Sequence, residues 1–170
     1  MFFKEVFYRI MPKMPENTEN RISTSFQNRL LEIMDEYDCK NNNKKFASLV
    51  GISTPVISRA TIYGIVPSLR PLIKIADTLD ISLTYLLGDS NANDFFMAEP
   101  QISFHSRLKE LADERKVNFG QISQQMQFPR TYFYEWQKEK TLPSLDYLYE
   151  IAEYFDVSID YLLGRTNIRK

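Results

Sequence analysis

A block of 22 residues occurs twice in this chain, and this repeat constrains the fold more than any other feature of the sequence. Residues 67–88 read PSLRPLIKIADTLDISLTYLLG and residues 143–164 read PSLDYLYEIAEYFDVSIDYLLG, with 12 identical positions and no gap. An internal repeat fixes the number of structural units before any local pattern is considered. The sequence therefore predicts two copies of one small unit, each ending in this block.

The position of the repeats and the composition of the segments around them divide the chain into five parts. We expect an N-terminal arm at residues 1–23, a first repeat at 24–88, a linker at 89–101, a second repeat at 102–165 and a C-terminal tail at 166–170. The arm begins with an apolar run that Lys4, Glu5 and Arg9 interrupt, which argues against a signal peptide or a membrane span. It is either an extended start or an element that packs on a partner. The aromatic pair Phe95-Phe96 in the linker predicts that part of the linker docks on a repeat.

Apolar positions at helical spacing predict five helices in each repeat. In the first repeat, Phe26, Leu30 and Ile33 share one face of a helix that begins at Thr24. The other helices are expected at residues 44–50, 54–63, 67–79 and 82–88 of the first repeat, and at 104–116, 118–127, 130–138, 144–155 and 158–163 of the second. No segment alternates as a strand does. The predicted fold class is all-α, with two tandem five-helix bundles.

Polar residues and glycine predict where the helices of the first repeat begin and end. The run 41–43 is three asparagines, which break the first helix and offer a cap for the second. Gly51 is expected to end the second helix, because glycine adopts a left-handed conformation at little cost. Ser53 and Ser82 are expected to cap the third and fifth helices.

The counts of reactive residues argue against an enzyme. The chain has one cysteine, Cys39, and one histidine, His105, and the two fall in different repeats. One cysteine and one histidine are too few ligands for a zinc site. With only five glycines in the chain, a glycine-rich phosphate-binding loop is not expected. We therefore expect no catalytic residue, no metal and no small-molecule cofactor. A lone thiol suits a reducing compartment, which predicts a cytoplasmic location.

Charge is distributed unevenly, although the net charge is only −1. Residues 39–76 contain six basic side chains and no acidic one: Lys40, Lys44, Lys45, Arg59, Arg70 and Lys74. A nearly neutral protein can still present one basic face to a polyanion. The second repeat has the same polarity in weaker form, since Glu135 and Glu139 offset its basic residues.

Several segments carry a resemblance to a known family. They are FASLVGISTPVIS at 46–58, ISQQMQFPRTYFYEWQKEKTLPS at 122–144, and the endings SLTYLLG and SIDYLLG. Residues 25–88 and 103–164 each resemble the lambda-repressor-like, Cro/CI-type helix-turn-helix family. The resemblance implies two tandem five-helix lambda-repressor-like bundles, each placing its third helix in the major groove of double-stranded DNA.

The resemblance also implies which residues contact DNA. The expected base-reading residues are Thr54, Pro55 and Arg59 in the first repeat and Arg130, Thr131 and Glu135 in the second. The expected phosphate contacts are Asn43, Lys44, Lys45, Asn118, Gln121, Lys138 and Lys140. Arg59 and Arg130 are the candidates for guanine, because a guanidinium matches its O6 and N7 atoms.

The third helix of the second repeat is unusually aromatic. Phe133 and Trp136 align with Ile57 and Ala60, so we expect them in the core. Tyr132 and Tyr134 are then expected to be exposed, where they would contact either DNA or a protein partner.

Two hypotheses for function follow. The first is a sequence-specific DNA-binding transcriptional regulator, repressor-like and from a bacterium, phage or mobile element. Its two repeats would act as a pseudo-dimer on two different half-sites about 34 Å apart, and an extended linker would span about 45 Å. In the alternative, the first repeat binds DNA while the second is a protein-interaction or dimerisation module of an antitoxin-like or adaptor protein. A homodimer is left open, and no membrane partner is expected.

Overall fold

A computed structural model describes residues 21–170, and this part of the chain folds into ten α-helices with no strand beyond one isolated bridge. The helices are α1 (Thr24–Glu36), α2 (Asn43–Val50), α3 (Thr54–Tyr63), α4 (Leu69–Leu79), α5 (Leu83–Leu86), α6 (Phe104–Arg115), α7 (Phe119–Ser123), α8 (Thr131–Glu139), α9 (Leu145–Phe155) and α10 (Ile159–Leu162). The all-α prediction is confirmed for these residues. Residues 1–20 of the predicted arm lie outside the described part. Residues 21–23 pair with residues 64–66 after α3.

Most of the predicted helix ends are confirmed. The side chain of Asn42 accepts a hydrogen bond from the backbone N–H of Lys45, and Gly51 ends α2 with a φ of +65°. Ser82 accepts from the N–H of Tyr85 at the start of α5. Ser53 occupies the N-cap position of α3, but its side chain makes no capping hydrogen bond, so that part of the prediction is wrong.

Helix α7 is shorter than the sequence predicts. It ends at Ser123, whereas the apolar pattern extended it to Gln127. The N–H groups of Gln125 and Met126 bond to carbonyls three residues back rather than four, which tightens and ends the helix. Met126 and Phe128 then turn into the core. Packing of these apolar side chains has overridden the helical periodicity.

The buried apolar residues form one continuous core that includes both repeats. Helix α4 shows the predicted pattern, because its five expected core residues are all buried: Leu69, Leu72, Ile75, Ala76 and Leu79. Burying one such leucine or isoleucine stabilises the fold by about 1.5–3 kcal/mol. A single 65-residue unit buries a smaller share of its surface than a larger domain does. A shared core therefore stabilises both repeats.

The linker between the repeats is folded back rather than extended. Phe95 packs under the guanidinium of Arg165, 4.6 Å from the ring centroid, and the N–H of Ala98 donates to the carbonyl of Arg165 at 2.8 Å. Docking of the aromatic pair is confirmed for Phe95 alone, since Phe96 is 69% exposed. The linker therefore does not act as the extended spacer that its length suggested.

Two charged side chains are buried where the repeats meet. Arg165 and Asp160 are 2% and 3% exposed and form an ion pair with each other. Arg165 also donates to the carboxylate of Asp77 at 2.8 Å, and Asp160 accepts from the N–H of Leu83 at 3.0 Å. Burial raises the pKa of Asp160, while Arg165 and the backbone N–H groups oppose this shift. We call Asp77, Leu83, Asp160 and Arg165 the junction.

The last glycine of each repeat packs against the backbone at the start of the same repeat. Gly88 has a φ of +77°, and a Cβ at this position would lie 2.7 Å from the carbonyl oxygen of Ser25 in α1. Gly164 has a φ of +71° and approaches the backbone of Ile102 in the same way. The glycine of the repeated ending thus packs directly against the start of its own repeat.

This geometry predicts the effect of replacing Gly88. Gly88→Ala should lower the free energy of unfolding by about 1–2 kcal/mol for the left-handed backbone and by a further about 1–3 kcal/mol for the clash with backbone. Gly51→Ala is the matched control, because Gly51 is also left-handed but meets only the flexible end of Lys74. Urea denaturation measures both variants, and equal losses would contradict the close-packing account.

Candidate nucleic-acid interface

Helices α2 and α3 form a compact pair in the first repeat. Gly51 turns the chain at the end of α2, and α3 begins three residues later. Phe46 and Ala47 of α2 and Ile57 and Ala60 of α3 are buried in the core. The pair is therefore held by apolar packing on its inner side, which leaves its outer side to polar residues.

A polar contact between the two helices fixes how they lie against each other. The side-chain amide of Asn43 donates to the hydroxyl of Ser58 at 3.2 Å and accepts from the hydroxyl of Thr61 at 3.3 Å. Thr61 is buried, so its hydroxyl needs these partners. Asn43 was predicted to contact phosphate, but its amide is directed at α3. Its helical position still places its backbone N–H in the first turn of α2.

The other predicted contacts of the first repeat lie together on the outer side. Thr54, Pro55 and Arg59 are exposed on α3, and Lys44 and Lys45 are exposed at the start of α2. This face combines one hydroxyl, one guanidinium and two ammonium groups. Such groups can hydrogen-bond base edges and phosphate oxygens.

Further lysines extend the positive charge around this face. The ammonium group of Lys45 donates to the carbonyl of Asp38 at 2.8 Å, and Lys40 pairs with the carboxylate of Asp35 at 3.2 Å. The side chain of Lys74 reaches Gly51, at the turn between α2 and α3. Two of the acidic residues just before this stretch, Asp35 and Asp38, therefore lie beside lysines.

Two of the predicted phosphate contacts of the second repeat cap the N-terminus of α7. Asn118 accepts from the N–H of Gln121 at 2.9 Å, and the side chain of Gln121 accepts from the N–H of Asn118 at 2.9 Å. This reciprocal capping box satisfies the first N–H groups of the helix. The two side chains therefore have a structural role in this state.

The remaining predicted contacts of the second repeat are exposed on or beside α8. They are Arg130, Thr131, Glu135, Lys138 and Lys140. One terminal nitrogen of Arg130 lies 4.0 Å from the position that a Cβ would take on Gly120. The guanidinium of Arg130 thus lies near the first turn of α7.

An aromatic cluster supports α8 from beneath. Phe133 and Trp136 are buried, as predicted. Tyr132 was expected to be exposed, but it is partly buried and stacks on Trp136 with ring centroids 6.0 Å apart, so that prediction is wrong. Tyr134 is 55% exposed and meets Phe119 edge-on, 5.7 Å between centroids. The outer face of α8 therefore presents one tyrosine among charged residues.

Two residues that were not among the predicted site residues organise the face rather than form it. Ser58 and Thr61 hold Asn43, and they lie three residues apart on one side of α3. This spacing is a signal that could have been read from the sequence. Ile62 and Tyr63 are exposed at the end of α3, and no pattern indicated their exposure.

Between residues 21 and 170, no group of three or more histidine, cysteine or acidic side chains could hold a metal ion. The helices of this part are also too short or too polar to cross a bilayer.

Comparison with known proteins gives one informative similarity. Over 61 residues the chain is 31% identical to the uncharacterized HTH-type transcriptional regulator YobD of Bacillus subtilis (strain 168). The match covers 36% of this chain and 54% of YobD, so the chain spans about half the length of that relative. No family model and no solved structure matches the chain. The relative is named as a helix-turn-helix-type transcriptional regulator.

The contacts of Asn43 predict that it stabilises the fold, whereas exposed Lys44 does not. Asn43→Ala should lower the free energy of unfolding by about 1 kcal/mol, because it removes two hydrogen bonds and leaves the Thr61 hydroxyl with fewer partners. Lys44→Ala should stay within about 0.5 kcal/mol of the parent chain, because Lys44 is exposed. Thermal unfolding followed by circular dichroism tests both, and an unchanged stability of Asn43→Ala would refute the structural role.

Proposed function

We propose that this protein is a sequence-specific, repressor-like transcriptional regulator that reads double-stranded DNA with α3 and α8. In this proposal each repeat is a five-helix, Cro/CI-type helix-turn-helix bundle. Thr54, Pro55 and Arg59 read bases from α3, and Arg130, Thr131 and Glu135 do so from α8. Lys44 and Lys45, and Lys138 and Lys140, contact the flanking phosphates.

The exposed face of α2 and α3 is the observation that carries the proposal. The predicted contacts on this face are basic or small side chains, and residues 39–76 contain no carboxylate that would repel phosphate. Protein contacts with phosphates supply most of the non-specific affinity for DNA, and contacts with base edges supply the specificity. The face offers both kinds of group, and the similarity to a transcriptional regulator supports the same function.

The tandem repeats give the proposal its particular form. A single helix-turn-helix unit reads one half-site, and two units together gain affinity because the second binding event is intramolecular. The two reading helices differ, since Thr54 and Arg59 are replaced by Arg130 and Glu135 at the aligned positions. The operator should therefore contain two different half-sites, about 34 Å apart, rather than a perfect palindrome.

An alternative is that α8 belongs to a protein-interaction or dimerisation module and that only the first repeat binds DNA. Exposed Tyr134 favours this alternative, as do the two acidic residues Glu135 and Glu139 on the same helix. Tyrosine is enriched at protein interfaces, while carboxylates are repelled by phosphate.

Substitutions on the two reading helices test the proposal and separate it from the alternative. Arg59→Ala should weaken binding to a selected duplex by about 1–3 kcal/mol. Lys44→Ala should reduce the salt dependence of binding by about one phosphate contact. Fluorescence anisotropy titrations at several salt concentrations measure both quantities.

The same titrations decide the role of α8. Arg130→Ala with Thr131→Ala should weaken binding comparably if α8 reads bases, and should leave affinity and salt dependence unchanged in the alternative. Unchanged affinity in both the Arg59 and the Arg130 variants would contradict DNA reading by either helix.

A further inference from the structure

We propose that buried Arg165 fixes the spacing and relative orientation of the two reading helices, so that the protein discriminates operators by the distance between their half-sites. This inference rests on the proposed function and adds a positioning residue to it. Arg165 is far from both reading helices in sequence and contacts no residue that we assign to DNA.

Arg165 crosses from the second repeat into the first. Its Nε donates to Asp77 of α4 at 2.8 Å, and one terminal nitrogen donates to the carbonyl of Ile81 at 2.9 Å. The other terminal nitrogen pairs with Asp160 of its own repeat. A planar guanidinium directs its N–H groups along fixed lines, so three partners from three segments define its position closely.

A second contact crosses in the opposite direction. Both carboxylate oxygens of Asp160 accept from the N–H of Leu83 in the first turn of α5, at 3.0 and 3.2 Å. Each repeat therefore supplies polar groups that the other must satisfy. Because Arg165 and Asp160 are almost fully buried, separating the repeats would break these bonds and expose a well-packed surface.

The linker does not allow an independent range of distances. The backbone carbonyl of Arg165 accepts from Ala98, and its guanidinium covers the ring of Phe95. The middle of the linker is thus attached to the same residue that joins the repeats. The spacing of the repeats is then set by the junction and not by the contour length of the linker.

A second connection lies close to the reading helices themselves. The N–H of Val66, just after α3, donates to the carbonyl of Arg21 at 2.8 Å. The guanidinium of Arg21 pairs with Asp146 at 2.7 Å, in the first turn of the helix that follows α8. An exposed ion pair therefore joins the segment after α3 to the segment after α8, in addition to the buried junction.

The junction is also asymmetric between the repeats. Positions 84 and 89 of the first repeat correspond to 160 and 165 of the second, and they hold Thr84 and Asp89. The buried ion pair is thus present in one copy only. Two identical first repeats could not form this junction with each other, so its polar contacts favour the covalent tandem over a symmetric pair.

The first experiment measures spacing dependence. Duplexes carrying two selected half-sites are prepared at the selected spacing and with insertions of half a turn (about 5 base pairs) and a full turn (about 10 base pairs). The parent chain should lose at least about tenfold in affinity on the half-turn insertion, because only one repeat can then engage. Arg165→Met should bind the selected spacing more weakly and lose this dependence, while its affinity for a single half-site is retained.

Two further variants complete the experiment, one as a control and one as a second test of the junction. Arg169→Met removes an exposed ion pair between the C-terminal tail and Glu114 of α6, and it should keep the spacing dependence of the parent chain. Asp77→Asn disturbs the junction at a partly exposed partner, so it tests the inference even if Arg165→Met unfolds. Circular dichroism establishes that each variant is folded before it is titrated.

The second experiment needs no DNA. Spin labels are attached at Ser48→Cys in α2 and Lys109→Cys in α6, and their separation is measured by double electron–electron resonance. The parent chain should give one narrow distance distribution, and Asp77→Asn and Arg165→Met should broaden it. A broad distribution in the parent, or a narrow one in both junction variants, would overturn the inference.

The two experiments distinguish the possible failures. A narrow distribution that broadens in the variants, without salt-dependent binding to any duplex, would reject the proposed function and with it the assigned role of the junction. Duplex binding with the same spacing dependence in the parent and both junction variants would reject the role of Arg165 alone and leave DNA binding intact.

Discussion

The burial of Arg165 is the interaction on which the rest of the structure depends. A guanidinium removed from water is stable only where carboxylates and carbonyls receive its hydrogen bonds. Asp77 and Asp160 provide the carboxylates, and they come from different repeats. The hydrogen bonds between Arg165 and these carboxylates hold α5 against α10. The apolar surfaces of both repeats can then form one core. The relative position of the two repeats therefore depends on these buried polar contacts.

The outer face of α2 and α3 depends on a different division of roles. Apolar residues such as Ile57 hold α3 on its inner side, and Asn43 sets its position through Ser58 and Thr61. Side chains offered to a partner, such as Thr54 and Lys44, are exposed on the outer side. The second repeat achieves the same arrangement with aromatic packing and a capping box in place of the polar contact. Its α8 carries acidic residues as well as basic ones, unlike the wholly basic stretch of the first repeat.

Local patterns predicted much of the fold, and long-range contacts account for what they missed. The bounds of α3 and the buried face of α4 follow from helical spacing, since these features depend on neighbours three or four residues apart. The early end of α7 and the burial of Tyr132 depend on packing between distant segments, which spacing does not report. The candidate contacts were chosen by resemblance, and the inward direction of Asn43 was not visible in it. Arg165 was missed because the repeats were compared for their identities, whereas the junction lies at positions where they differ.

The central claim is that two different reading helices, held in one geometry, bind one stretch of duplex together. Selection of binding sites from random duplex DNA by the full chain, followed by hydroxyl-radical footprinting of the selected sites, tests it most directly. The account predicts two protected segments of different sequence, with centres about one helical turn apart on the same face of the duplex. Protection of a single segment, of two identical inverted segments, or no enrichment above random sequence would contradict it.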